Sequence, residues 1–258
     1  MAGGDFSLEL VVLGAGPAWS DRRDAAGAAY LVQSKQTAIL LDLGQGSFPR
    51  LIAAIEPSTL DAVVISHLHP DHFIDLVPLR HYLAYQLDEP RHVRVIAPAG
   101  LESRIDALHD RPGFTAETLD CEPFASGQAT IGDLTVEARR VRHTADSHAI
   151  RVAPLDGPGL VYSGDCGRAA DLLPLIRPGD TLLVEVSFGA GPVPSGSEHL
   201  DAPAISELVR SARPGRVLLT HLQMGLDRAA PVQIVREVFD GPVALVEPGD
   251  IIDLMEQG

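Results

Sequence analysis

The sequence predicts an α/β or α+β layered fold, and three observations carry that prediction. Short apolar runs of strand character alternate with segments of helical spacing along the whole chain. Pro and Gly are scattered through that length rather than gathered into a linker, with no repeat period and no low-complexity tract. At 258 residues the chain is long enough to bury one substantial core, and residues 1–258 read as one domain.

Leu8 to Leu13 reads as a buried strand, with two more at Tyr30 to Gln33 and Ala38 to Leu43. Ser47 to Ile55 has helical spacing that puts Phe48, Leu51, Ile52 and Ile55 on one face. Ala62 to Ile65 is a short apolar strand that runs straight toward His67. His72 to Leu87 reads as a helix that Pro78 kinks or restarts. Val93 to Ile96 is a strand and Ala99 to Leu108 a helix, and Thr130 to Val141 is a hairpin turning at Gly132-Asp133. Leu160 to Tyr162 and Leu182 to Val186 are strands, with a helix near Arg168 to Ile176 between them. Asp201 is placed to cap a helix over Ala204 to Ser211. Val217 to Leu219 closes the strands, and a helix follows from Pro231 to Phe239.

Hydrophobic residues make up 45% of the chain and charged residues 21%, an ordinary globular balance. The formal charge is -15, from 35 acidic and 20 basic side chains. That argues against nucleic acid as a partner, because docking a phosphate backbone requires a basic surface. It does not exclude a small anionic substrate, since bound metal ions can dominate the charge of a site. The start, Met1-Ala2-Gly3-Gly4-Asp5, lacks the basic and apolar regions of a secretion signal, and no apolar stretch is long enough to span a bilayer. Cys121 and Cys166 cannot form a disulfide framework. A cytoplasmic protein without a membrane partner is the expectation, with a homodimer admitted.

Chemistry concentrates in Ser66-His67-Leu68-His69-Pro70-Asp71-His72, where four metal-binding groups fall within six positions. Imidazole and carboxylate suit zinc first, with manganese or iron as the other candidates. The alternation can set His67, His69 and Asp71 on one side of an extended turn, with His72 opening the helix behind. Four ligands exceed what one catalytic zinc with an open position needs, so a pair of divalent ions is the natural reading. Partners from elsewhere stand at strand ends: His143 in Val141-Arg142-His143-Thr144, Asp165 in Tyr162-Ser163-Gly164-Asp165, and His221 in Leu218-Leu219-Thr220-His221. Rigid strand ends are good places from which to aim side chains at a common point.

In order and spacing these pieces resemble the metallo-β-lactamase superfamily, and most of all its ribonuclease Z-like phosphodiesterase branch. The resemblance runs from Leu13-Gly14-Ala15-Gly16 to His221-Leu222. It implies a four-layer αββα sandwich with two metals at one edge of the sheets. His67, His69 and His143 would hold one ion, and Asp71, His72 and His221 the other, with Asp165 bridging them. His199, in Glu198-His199-Leu200-Asp201-Ala202, matches the extra histidine of that branch and would act as general acid, so that His199 and Asp71 are counted as catalytic. The nucleophile would be a hydroxide shared by the two metals. Glu185, placed after a strand, is the candidate to orient the other ring nitrogen of His199.

The expected function is therefore that of a dinuclear metal-dependent phosphodiesterase on a small substrate such as a cyclic nucleotide. The alternatives are a transfer-RNA 3′-processing endonuclease, a lactone or thioester hydrolase of the same fold, and a non-catalytic metal-binding protein. The transfer-RNA enzymes carry a long arm between the counterparts of His143 and Asp165, whereas positions 144–164 here leave room for a hairpin. Gly100 to Gly127 is the other place for a substrate cover, short and not basic. Gly14-Ala15-Gly16 lacks the third glycine of a dinucleotide fingerprint, and no Gly-x-Ser-x-Gly elbow occurs. Arg22 and Arg23 lie close enough in sequence to that loop to be weighed as phosphate contacts. Cys166 reads as a buried thiol, and His81, His92, His109 and His148 lack motif context.

Overall fold

The computed structural model describes residues 7–124 and 127–256. The leader segment Met1 to Asp5 considered above lies outside them.

Two seven-stranded sheets face each other. The first takes β1 (Glu9–Gly14), β2 (Ala29–Gln33), β3 (Ala38–Leu41), β4 (Ala62–Val64), β5 (Val93–Ile96) and β6 (Leu119–Glu122) in chain order, with β14 (Ile251–Asp253) beside β1. The second runs β7 (Gln128–Ile131), β8 (Leu134–Val141), β9 (Ser147–Pro154), β10 (Leu160–Tyr162), β11 (Thr181–Glu185), β12 (Arg216–Thr220) and β13 (Val243–Leu245). From β3 to β6 and from β10 to β13 the strands are parallel.

Alternating side chains sort into three apolar layers. Val12, Val32, Leu41 and Val64 meet Val136, Ile150, Leu160 and Leu183 between the sheets. On the outer face of the first sheet, Leu31, Val63 and Val95 pack on α1 (Phe48–Ala54), α3 (Leu76–Tyr85) and α4 (Leu101–Leu108), with the short α2 (Pro70–Phe73) just before α3. On the outer face of the second, Val161, Leu182 and Val217 pack on α5 (Ala202–Ala212) and α6 (Ala230–Arg236). This is the αββα sandwich. Tyr30 and Tyr162 cross the middle layer, ring centroids 4.9 Å apart. Leaving a buried hydroxyl unpaired costs about 1–3 kcal/mol, and neither is: Tyr30 pairs with Thr220 Oγ1 at 2.5 Å, and Tyr162 donates to Asp42 at 2.7 Å.

Several elements depart from the sequence reading. The helix expected from His72 is broken at Ile74 and Asp75, so that Pro78 falls in the first turn of α3, where its missing N–H is no loss. Near Arg168 to Ile176 there is only a 3-10 turn, Ala169–Leu172. Ile52, assigned to the inner face of α1, is 46% exposed, while Leu51 is fully buried. The strand β9 and the strands β6, β13 and β14 add to those expected. The Gly132-Asp133 turn and the Asp201 cap are found as expected, the latter by a 3.0 Å bond from the Ala204 N–H. Gly14 serves packing rather than a nucleotide: a Cβ there would stand 1.8 Å from the Gly27 carbonyl oxygen, where the loop recrosses itself.

Candidate metal centre

Five parallel or near-parallel strands end at the same edge of the sandwich, and each delivers a polar side chain there. Asp42 follows β3, His67 follows β4, Asp165 follows β10, Glu185 ends β11 and His221 follows β12. His143 comes from the β8–β9 turn. His69, Asp71 and His72 come from the turn into α2, where Pro70 opens the helix at its first position. The exits are tightly made. Gly164 takes φ +55 and sits so close that a Cβ would lie 2.9 Å from that of Ser66, which brings Asp165 beneath the histidine segment. His221 itself holds φ +58, an uncommon conformation for a residue with a side chain, and its N–H donates to Ala15 O at 3.1 Å.

All seven residues expected to gather do gather. Donor atoms of His67, His69, His143 and Asp165 lie within 4.8 Å of one another, and so do those of Asp71, His72 and His221. Asp165 spans both groups. Its Oδ2 is 3.8 Å from His67 Nε2 and 3.6 Å from His143 Nε2, while its Oδ1 is 3.3 Å from His72 Nε2 and 3.5 Å from His221 Nε2. Asp71 Oδ2 closes the second group, 3.7 Å from His72 Nε2 and 3.4 Å from His221 Nε2.

The outward nitrogens are occupied by the protein. Nδ1 of His143 donates to Glu198 O at 2.7 Å; Nδ1 of His67 lies 3.1 Å from Ser66 Oγ, and that of His221 3.1 Å from Ser187 Oγ. Nδ1 of His72 lies 2.7 Å from Asp42 Oδ2. Such contacts fix ring orientation and leave Nε2 aimed inward. His67 Nε2, His72 Nε2 and Asp165 Oδ1 are buried with no hydrogen-bond partner. Orphaned buried polar atoms are rare, and three facing one another fit a cation better than any arrangement of protons.

Charge points the same way. Burial, reinforced by the neighbouring imidazoles, holds His67 well below the usual histidine range, and burial also lowers His69, so both are neutral donors. Burial works against charge on His72 and His221 too, yet the Asp165 carboxylate raises both, helped by Asp42 and Asp71 respectively. Asp165 is drawn well below the carboxylate range by His221, His72 and His67 despite its burial. A pocket that pulls protons onto buried imidazoles is short of positive charge. Two divalent cations would supply it, and this donor set is compatible with a dinuclear site.

His199 stands beside this cluster. Its Nδ1 is 2.9 Å from Glu185 Oε1 and 3.9 Å from Asp165 Oδ2. Glu185 is itself held, accepting from Cys166 N at 2.9 Å, Ser187 Oγ at 2.5 Å and Leu200 N at 3.3 Å. Burial disfavours charge on His199, but the bond to Glu185 together with the Glu185 and Asp165 carboxylates outweighs it and raises the imidazole above its ordinary value.

Asp42 was missed by the sequence reading. It is wholly buried, and besides His72 its carboxylate accepts from Ser66 N at 2.6 Å, Ser66 Oγ at 2.7 Å and the Tyr162 hydroxyl at 2.7 Å. The available signal was the one that exposed Asp165, a carboxylate directly after an apolar strand. Other candidates stay out. Arg22 pairs with Glu247 at 3.1 Å beside a separate small pocket. Burial pushes the Cys166 thiol up to about 12, which leaves no thiolate for attack. His148 packs on Phe124 and His109 stacks on Phe114, while His81 bonds to Val77 O and His92 to Asp120. Residues 144–164 form a β9–β10 hairpin, and α4 and β6 build the first sheet's flank rather than a lid.

Comparison with known proteins agrees with this geometry. The family model described as the beta-lactamase superfamily domain matches residues 38–222. The uncharacterized protein Rv1339 of Mycobacterium tuberculosis strain H37Rv is 28% identical over 91% of this chain and 88% of its own. The probable metallo-hydrolase YhfI of Bacillus subtilis is 26% identical over 87% of this chain and 91% of its own. The crystal structure of YhfI, described as a metallo-beta-lactamase fold protein, superposes with TM-score 0.85 at 21% identity, covering 96% of this chain and 99% of the other. The human tRNase Z short form superposes with TM-score 0.74 at 18% identity over 95% and 99%. Among the described residues, no helix is long and apolar enough to cross a membrane.

Proposed function

The chain belongs to the beta-lactamase superfamily, and from that premise we propose that it is a dinuclear metal-dependent phosphodiesterase acting on a small substrate. His67, His69 and His143 would hold one cation and Asp71, His72 and His221 the other, with Asp165 between them. Two divalent cations in such a site supply a nucleophilic water at neutral pH and charge neutralisation for a phosphoryl group. Zinc is the first candidate, since imidazole and carboxylate donors suit it.

The observation that carries the phosphodiester reading is the His199–Glu185 pair. An alkoxide leaving group needs a proton, and a positioned acid contributes about 10²–10⁴-fold. Glu185 orients His199 through Nδ1 and favours its protonated form, from which the ring would give up a proton at Nε2. Asp71 lines the same cleft, its Oδ2 3.4 Å from His221 Nε2. A thioester hydrolase has less use for such an acid, because a thiolate departs more easily than an alkoxide.

The bare β9–β10 hairpin and the net charge of -15 support a small substrate over precursor transfer RNA. The test is a side-by-side assay of zinc- or manganese-reconstituted protein against bis-p-nitrophenyl phosphate, cyclic nucleotides, precursor transfer RNA and a lactone. Turnover of the small phosphodiesters well above the other two is expected. Preference for RNA or lactone would overturn the reading, and turnover of none would favour a metal-binding protein without catalysis.

A further inference from the structure

We propose that Trp19 is the platform on which the substrate's planar ring stacks, so that the centre selects phosphate esters carrying an aromatic base. This rests on the reading of the metal centre above and adds the chemistry of the substrate's far end.

Trp19 is the only tryptophan in the chain, and it is 69% exposed. An aromatic side chain of that size normally buries most of its surface. Its place explains the exposure. Pro17, Ala18 and Trp19 form one wall of a cleft of about 380 Å³ whose floor holds Asp71, Asp165 and His221. That volume suits a small ligand.

The loop carrying the indole is not a loose tip. Gln45 Nε2 donates to Pro17 O and Ala18 O, both at 3.2 Å, on one side of Trp19. On the other side Ser20 Oγ donates to Met224 Sδ at 3.2 Å, and Arg22 is tied to Glu247. The backbone is therefore held while the ring is left open to the cleft, which is how a preorganised contact is built.

Among the described residues no lysine or arginine lines this cleft. The cations would bind one phosphate, but no lysine or arginine among the described lining residues waits for a second. A diphosphate tail or a further stretch of nucleic-acid backbone has no partner here, whereas a neutral planar group meets Trp19, Pro17 and Met224. Stacking of a base on an aromatic ring is tolerant of which base it is, so recognition of the ring class rather than one base is expected.

Because the chain has a single tryptophan, its emission at red-edge excitation reports on this site alone. Metal-loaded protein is titrated with adenosine 5′-monophosphate and with ribose 5-phosphate, following emission and, in parallel, heat of binding. The adenosine compound should quench Trp19 saturably and bind on the order of tenfold more tightly than the base-free phosphate. Trp19→Ala should weaken it about tenfold and leave ribose 5-phosphate unchanged, while Trp19→Phe keeps most of the affinity. Equal affinity for the two phosphates, no binding of either, or wild-type adenosine affinity in Trp19→Ala would each overturn the platform. The two proposals fail separately. Quenching without phosphodiester turnover sinks the hydrolase reading and keeps the platform. Turnover of a cyclic nucleotide with an unchanged KM in Trp19→Ala sinks the platform and keeps the hydrolase.

Discussion

Oδ2 of Asp42 lies 2.7 Å from Nδ1 of His72, and both side chains are wholly out of solvent. The same carboxylate receives Ser66 and Tyr162, so one buried charge orients a ring of the centre, fixes the start of the histidine segment and joins the two sheets.

Asp42→Asn tests this. Asparagine tolerates the φ of +56 found at this position, so the fold should survive while the charged acceptor is lost. Affinity for one cation should fall about 10–100-fold, read by calorimetric zinc titration. Two equivalents bound as in the unaltered protein would show that Asp42 has no bearing on the centre.

Asp165→Ala removes the one carboxylate that faces both groups of histidines. Elemental analysis after dialysis should find both cations depleted and turnover lost together, with far-UV circular dichroism unchanged. Retention of two cations would end the bridging role.

Variants at His199 and Glu185 test the proposed proton delivery apart from metal holding. His199→Ala should keep both cations and lose about 10²–10⁴-fold in kcat toward an ester with a poor leaving group. An acid must be protonated, so activity persists below its pKa and is lost as pH rises through it. With Glu185 raising His199, the alkaline limb of the profile should lie above the ordinary histidine value. Glu185→Gln should move that limb to lower pH. A limb that stays put in Glu185→Gln would detach Glu185 from the acid.

Far from the cleft, Arg151 and Asp180 form a buried pair with two 2.8 Å bonds, and Asp180 also accepts from Gly159 N and Arg177 N. Asp180→Ala strands a buried guanidinium and should cost about 3–5 kcal/mol, read as a lower urea midpoint. Metal content should be unaltered. A midpoint within error of the parent would mean that Arg151 finds another partner.

That pair also explains what the sequence concealed. Ser147–Pro154 reads as a polar interruption because His148 and Arg151 break the apolar pattern, yet every residue of β9 is buried. A charge satisfied by a carboxylate elsewhere in the chain carries no local sign of it. Leu119–Glu122 hides likewise, an edge strand with Asp120 and Glu122 exposed. The histidine segment was legible because its density has no structural excuse, and Asp165 and His221 because each follows an apolar run, whereas His143 follows Arg139-Arg140-Val141-Arg142 and is indicated by the resemblance. Asp42 follows one too, but stands alone, and a single carboxylate after a strand is ordinary until Tyr162 and His72 are seen to converge on it. Trp19 gave no signal, since exposure beside a cleft is a property of the folded loop.

The division of the centre between the two sheets has a consequence for biosynthesis. Asp42, His67, His69, Asp71 and His72 arrive with the amino-terminal half, Asp165 and Glu185 much later, and His221 only after β12 has been translated. A truncated or stalled polypeptide displays part of a cage without the means to close it. Competence should therefore appear abruptly during synthesis, once the ribosome has released the segment beyond Thr220, rather than growing with chain length.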